Sequence, residues 1–228
     1  MEELHGCRFS NTDFYFLDSM LWLRPIQDKL FRVGVLPITQ TLWGKITSIR
    51  PKQPGEEIMA NRAICLIESR RFTGNITAPF NLRIERLNNE ALEKPWAMQR
   101  GDGDSAWLCE VYALHDDYLA RLKNWSEVRE MVDKMIKEKG IICFKEVPDY
   151  VYAAIGIECS QLVMVLSDKL EGFPDDSVIH IVADYDEGAE RELNKWSRIT
   201  GNELLEFKVE KRLAHALIRR KTRSKSWD

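Results

Sequence analysis

The chain has 228 residues, 44% of them hydrophobic and 30% charged, with a formal net charge of −3. That composition belongs to a globular chain with apolar residues enough for one large core or two ordinary ones, and excludes a disordered or collagen-like polymer. The mild negative charge argues against bulk nucleic-acid affinity, and no apolar run approaches the roughly 20 residues that span a bilayer.

Near the start, Glu2 and Glu3 stand where a signal peptide carries positive charge, so the expected location is the cytoplasm. Phe31–Val35 reads as a short strand, and 42–49 as a second strand that bends at Gly44. Residues 51–57 hold two prolines and a glycine between charges, which is a turn. Ala63–Ile67 is a compact apolar strand, 72–75 turns the chain, and Ile76 restarts it. Leu82–Leu87 alternates apolar and charged residues as a half-buried strand does. After a loop, 101–105 lead into a strand over Ala106–Tyr112. Short strands at this spacing predict a β-sandwich or barrel.

The pattern then changes. From Asp117 to Lys139 there is no Gly or Pro, and Leu119, Leu122, Val128, Met131, Val132, Met135 and Ile136 recur at helical spacing. Ser126 and Arg129 make an incomplete capping box, and Gly140 stops the helix. Strands and helices alternate from there: strand 151–157, helix 160–170, strand 178–183, helix 186–199, strand 205–209 and strand 213–218. The order β-α-β-α-β-β predicts a two-layer α/β sandwich. The fold class is therefore α+β, with a β-barrel or sandwich over 1–116, a helical connector over 117–140 that closes it, and the α/β sandwich over 141–228.

Five cysteines, at 7, 65, 109, 143 and 159, are odd in number and widely spaced, with no Cys-x-x-Cys. That pattern disfavours a disulfide framework and a zinc site, and the expectation is reduced thiols. His5, His115, His180 and His215 show no ligand spacing and receive no role. Trp22, Trp43, Trp96 and Trp107 fit an aromatic core better than a stacking surface.

The region from Asp18 to Tyr112 resembles the H protein of the glycine cleavage system. The landmarks are Leu21-Trp-Leu-Arg24, Arg32-Val-Gly-Val35 followed by Pro37-Ile-Thr-Gln40, Leu42-Trp-Gly-Lys-Ile46, Pro54-Gly-Glu-Glu57, Ile67-Glu-Ser69, Ala78-Pro79 and Gly103-Asp-Ser-Ala-Trp-Leu108. In that family a Val-Glu-Ser run precedes the lipoylated lysine by two positions. Here the position is Arg71, after Arg70. Lipoylation needs an amine that can lose its proton, and a guanidinium stays charged. No lipoate cofactor is expected. The domain then serves as a docking surface, or the two arginines bind an anion at the hairpin tip.

From Pro148 to Lys221 the chain resembles the TusA sulfur carriers. Gly156-Ile-Glu-Cys159 stands for their Gly-Leu-x-Cys, Val178–Asp184 for their central strand, and Gly201-Asn-Glu-Leu204 for a later strand entry. The resemblance implies a persulfide on Cys159, although Ser160 and Leu162 replace both prolines of the family's Cys-Pro-x-Pro. A cysteine at a helix start meets unpaired N–H groups and a partial positive charge, which favour the thiolate, while Glu158 opposes it. Cys159 is thus the candidate catalytic residue of a sulfurtransferase or sulfur carrier; Cys143 reads as strand core, with a relay role as the alternative. The implied partners are sulfur-relay or sulfur-metabolism proteins, with no membrane. The alternative is a non-catalytic adaptor in which both carrier sites have degenerated. The tail from Arg219 holds five basic residues in ten; a solvated terminus is the simpler reading, with RNA contact left open.

Overall fold

The structure is a computed structural model that describes residues 1–100 and 106–221. The chain forms two compact units, Met1–Val147 and Pro148–Asp228.

In the first unit the elements run β1 (Glu2–Leu4), β2 (Cys7–Phe9), β3 (Phe14–Phe16), β4 (Leu21–Gln27), β5 (Leu30–Val35), α1 (Thr39–Trp43), β6 (Ile46–Pro51), β7 (Glu57–Ile58), β8 (Ala63–Ser69), β9 (Thr73–Thr77), β10 (Leu82–Leu87), α2 (Asn89–Glu93), β11 (Cys109–Ala113), β12 (Lys123–Asn124) and α3 (Trp125–Lys139). Seven strands form one sheet in the order β12-β3-β4-β5-β11-β10-β7, and β6-β8-β9 form another. The hairpin β1-β2 pairs only with itself among the described residues. Among the described residues neither larger sheet closes, so the arrangement is open rather than a barrel. Its edge strands β12 and β7 have two residues each, too short a ladder to join the ends.

One core lies among the strands and joins Leu21, Leu23, Val33, Ile64, Ile67, Ile76, Leu82 and Val111. A second joins the β1-β2 hairpin, Trp22, Leu36, Ile38 and the apolar face of α3. Strand β4 serves both because successive side chains point to opposite faces: Leu21 and Leu23 enter the first core and Trp22 the second.

Two local readings change. Residues 39–43 form a helical turn where a strand was expected over 42–49; Gly44, at φ +69°, ends it, and strand β6 starts only at Ile46. The helix expected from Asp117 begins at Trp125, after a 3₁₀ segment over Asp116–Arg121. Its cap is Asn124, whose side chain accepts from the Glu127 N–H while the Glu127 carboxylate accepts from the Asn124 N–H. This capping box starts two residues before Ser126. Gly140 ends the helix in the left-handed conformation. Helix α3 packs within the first unit, with Trp125, Val128, Val132 and Ile136 buried in its second core.

The second unit runs β13 (Tyr150–Glu158), α4 (Cys159–Glu171), β14 (Val178–Asp184), α5 (Ala189–Thr200), β15 (Glu203–Glu210) and β16 (Leu213–Arg219). Its sheet order is β13-β14-β16-β15, with β13 and β14 parallel and the other pairs antiparallel. Leu162, Leu166 and Leu170 of α4 and Ala189, Leu193 and Trp196 of α5 pack on Ile179, Ile181, Ala183, Ala214, Ala216 and Ile218 of the sheet. Within this unit, burial of those side chains is the main stabilising term, at roughly 25 cal/mol per Å² of apolar surface.

Candidate functional site

Two places held candidate residues in the sequence: the hairpin carrying Arg71, and the helix start carrying Cys159. Both exist as elements, and they differ in access.

Strands β8 and β9 pair antiparallel down to Glu68↔Thr73, and the Ser69 N–H donates to the Phe72 carbonyl at 2.8 Å to close a four-residue turn. Arg70 and Arg71 form its tip, and both are exposed. The tip is tied to the end of α1. The Ser69 hydroxyl donates to the Trp43 carbonyl at 2.6 Å, and the Arg71 N–H donates to the same carbonyl at 3.1 Å. The Arg70 N–H reaches the Lys45 carbonyl at 3.4 Å. The Phe72 ring stacks on Trp43, with centroids 4.7 Å apart and planes 12° from parallel. Behind Phe72 stands Gly74, where an added Cβ would lie 2.5 Å from the ring; glycine there leaves room for the ring to fold back onto the hairpin. Glu68, ahead of the turn, pairs with Arg50 at 3.0 Å. The turn is therefore a fastened, exposed platform that presents two guanidinium groups.

At the second place, Cys159 is the first residue of the 13-residue helix α4, with Glu158 as its N-cap. The position at an element boundary does not leave it open to solvent: the side chain is 0% exposed and belongs to the core of the second unit. The reason was present in the spacing. Positions 159, 162, 166 and 170 form one apolar stripe of the helix, and the stripe faces the sheet. The expected drop in pKa is also reversed. Burial, followed by the negative charge of Asp186, pushes the Cys159 thiol up to about 11. Asp186 occupies the helix start: its carboxylate accepts from the Ser160 N–H at 2.9 Å and from the Gly188 N–H at 2.9 Å. Burial works against the charge on Asp186, but the hydrogen bonds from Ser160, Gly188 and Ala189 outweigh it and hold the carboxyl below its ordinary range. The helix end therefore already holds an anion, and a thiolate beside it would be a second one. Glu158 is engaged with Gln161, whose side-chain amide donates to it at 2.9 Å.

The other cysteines divide differently from the expectation. Cys7 and Cys143 form a disulfide between positions 136 residues apart, so the reading of five reduced thiols is corrected and Cys143 is no free relay thiol. No spacing rule could have shown it, because the pair is joined only by the packing of the β1-β2 hairpin against the stretch after α3. Cys65 and Cys109 are buried free thiols; burial raises both, Cys65 to about 12. His180 and His215, isolated in sequence, meet across β14 and β16 with ring nitrogens 2.9 Å apart, both buried. Burial holds His215 below its ordinary value. Among the described residues no group of three or more His, Cys, Asp or Glu is placed to hold a metal ion. Trp22, Trp43 and Trp107 are buried, as an aromatic core requires, while Trp96 carries Lys45 4.7 Å above its ring. Most of the basic tail, from residue 222, and the loop 101–105 lie outside the described residues.

The glycine cleavage H-protein family matches residues 14–135, more than half of the chain. The chain belongs to the glycine cleavage H-protein family. Similar proteins include glycine cleavage system H protein 5 of Aquifex aeolicus, 20% identical over 148 residues that cover 63% of this chain and 99% of the relative. H protein 2 of the same organism is 25% identical over 146 residues, covering 64% of this chain and 84% of the relative. A probable H protein 2 of Sulfolobus acidocaldarius is 21% identical over 140 residues, covering 60% and 94%. A solved H protein from Mycobacterium marinum aligns with a TM-score of 0.46 at 20% identity, covering 54% of this chain and 98% of that one. The family match contains the β8-β9 hairpin and ends within α3, so all of it falls in the first unit. Arg71 therefore sits on the hairpin of an H-protein-like unit, at the position where the Ile67-Glu-Ser69 landmark leads one to look for the lysine.

Proposed function

We propose that this H-protein family member is an adaptor that docks partners through the β8-β9 hairpin and does not carry lipoate there. The observation behind the reading is the tip itself. An arginine occupies the candidate attachment position, and its guanidinium keeps its charge and offers no nucleophilic amine. The platform around it is held by hydrogen bonds to α1 and by the Trp43–Phe72 stack. Two exposed arginines favour a partner with an acidic surface. Coexpression with a lipoyl ligase, followed by intact-mass analysis, tests the reading. The wild-type chain should gain no lipoyl group, and an adduct on any lysine near the hairpin, such as Lys45 or Lys52, refutes it.

The second reading is a sulfur carrier with a persulfide on Cys159, acting as a sulfurtransferase among sulfur-relay proteins. It is supported by the likeness of 148–221 to TusA carriers and by Cys159 standing at the first position of α4. It requires the thiol to be uncovered and separated from Asp186 before it can react, since thiolate is the reactive form. Incubation with a persulfide donor should then add sulfur to Cys159; an unchanged mass leaves the adaptor reading alone.

A further inference from the structure

We propose that the Cys7–Cys143 disulfide is a redox latch that governs how firmly the β8-β9 hairpin tip is held. The inference rests on which segments the bond joins. Cys7 begins β2, in a two-stranded hairpin that pairs only with itself among the described residues. Cys143 lies in residues 141–144, which have no regular secondary structure. The Cys143 N–H donates to the His5 carbonyl at 3.3 Å, so the bond and this contact together pin the stretch to the hairpin. A hairpin held to its unit by side-chain contacts with α3 and by no ladder to another strand, and an irregular stretch, open before a paired sheet does. The disulfide is buried, with Cys7 0% and Cys143 1% exposed; opening of that hairpin is the route by which a reductant reaches it.

Residues 142 and 144, on either side of Cys143, are fastened to α1. The Thr41 hydroxyl donates to the Ile142 carbonyl at 2.9 Å. The Gln40 amide donates to the Phe144 carbonyl at 3.2 Å, and its oxygen accepts from the Phe144 N–H at 3.1 Å. The same Gln40 amide also donates to the Gln99 carbonyl at 2.8 Å. Helix α1 is a single turn, and its last residue, Trp43, supplies the carbonyl that holds Ser69 and Arg71 and the ring that holds Phe72. The Arg71 guanidinium also reaches the Thr41 carbonyl at 3.4 Å. One short helix thus has the disulfide-bound segment on its polar side chains and the hairpin tip on its end.

Reduction by a dithiol is balanced as ordinary exchange. A thiolate of the dithiol attacks one sulfur of the pair and the Cys7–Cys143 bond breaks. The second thiol of the reductant then displaces the mixed disulfide. Two electrons and two protons end on Cys7 and Cys143, and the reductant leaves as its disulfide. The 141–144 stretch, freed from the hairpin, then holds α1 less well, and the tip loosens with it.

The functional meaning of the latch rests on the docking reading, but its test does not, because no partner is needed. Amide hydrogen exchange is followed on the full chain, oxidised and after complete reduction by dithiothreitol verified by mass. The expected result is at least a fivefold faster exchange at Ile142 and Phe144 and also at Arg71 and Phe72, with β14 and β16 unchanged. Faster exchange at 142 and 144 with an unchanged tip overturns the proposal. So does no change anywhere, and so does uniform acceleration through the first unit, which would mark an unfolding staple rather than a latch. A Thr41→Val variant separates the steps: reduction should still release Phe144, whose N–H is held by Gln40, while the response of Arg71 shrinks. An undiminished response at Arg71 in that variant would also overturn the coupling.

Discussion

The hairpin tip of the first unit and the helix start of the second are two candidate carrier sites with opposite defects. At the tip, geometry presents the side chain at position 71 to solvent, but its guanidinium has the wrong chemistry for acylation. At the helix start a competent nucleophile, Cys159, is present, but it is buried and stands beside a carboxylate that already caps the helix. Residue type and access are separate requirements, and each site meets one of them. A docking surface needs only access, which is why the tip supports the functional reading and Cys159 does not carry it.

The largest test of this contrast is Trp43→Ala. It removes a buried aromatic side chain and the ring under Phe72, and should destabilise the first unit by about 3–5 kcal/mol. Denaturant unfolding followed separately for the two units should show the second unchanged; equal loss in both would mean that they share one cooperative core. Next, removal of the Cys7–Cys143 bond by the double serine substitution should cost about 2–5 kcal/mol, again in the first unit. A chain of unaltered stability would show that the bond constrains little.

Asp186→Ala examines the other site. Losing the acceptor for Ser160 and Gly188 should cost about 0.5–2 kcal/mol, in the range of helix caps. It should also lower the Cys159 pKa by removing a neighbouring negative charge. Iodoacetamide labelling across pH reads this directly: in the wild-type chain Cys159 should react far more slowly than in the unfolded chain, and the variant should shift its profile to lower pH. Rapid labelling of Cys159 in the wild-type fold would return the carrier reading to first place.

Titration gives a smaller effect with a definite sign. The folded state raises the Cys159 pKa, so its contribution to stability is complete below the ordinary thiol value and is lost as pH rises from there through about 11. His215 is depressed, so the folded state disfavours its protonated form. Its contribution is complete above the ordinary histidine value, about 6.5, and is lost as pH falls below it. Stability of the fragment 148–228 measured against pH should therefore decline at both ends. A curve flat below pH 6.5 would remove His215 from the account. The smallest effect belongs to Arg71→Lys, an exposed substitution expected to change stability by no more than about 0.5 kcal/mol. Lipoylation gained by this variant would show that the hairpin keeps the geometry of an attachment site.

Much of this was written in local sequence. Period-two alternation marked Leu82–Leu87, the alternation of strands and helices marked α4 and α5, and a glycine stop marked the end of α3, because these signals depend on neighbours a few residues apart. The H-protein family and Arg71 on its hairpin were legible for the same reason: ordered short motifs need no knowledge of packing. Even the burial of Cys159 lies in the spacing, three positions ahead of the stripe of Leu162, Leu166 and Leu170. Other features were decided only by contacts between distant residues. Thr39–Trp43 became a helical turn where Gln40 and Thr41 could bond the backbone of 142–144, against the strand suggested by its neighbours. Asp186 reached the start of α4 from another loop, and Cys7 found Cys143 across 136 positions. Sequence periodicity reports which face a residue shares with its neighbours; which distant group meets that face is fixed only when the chain has packed.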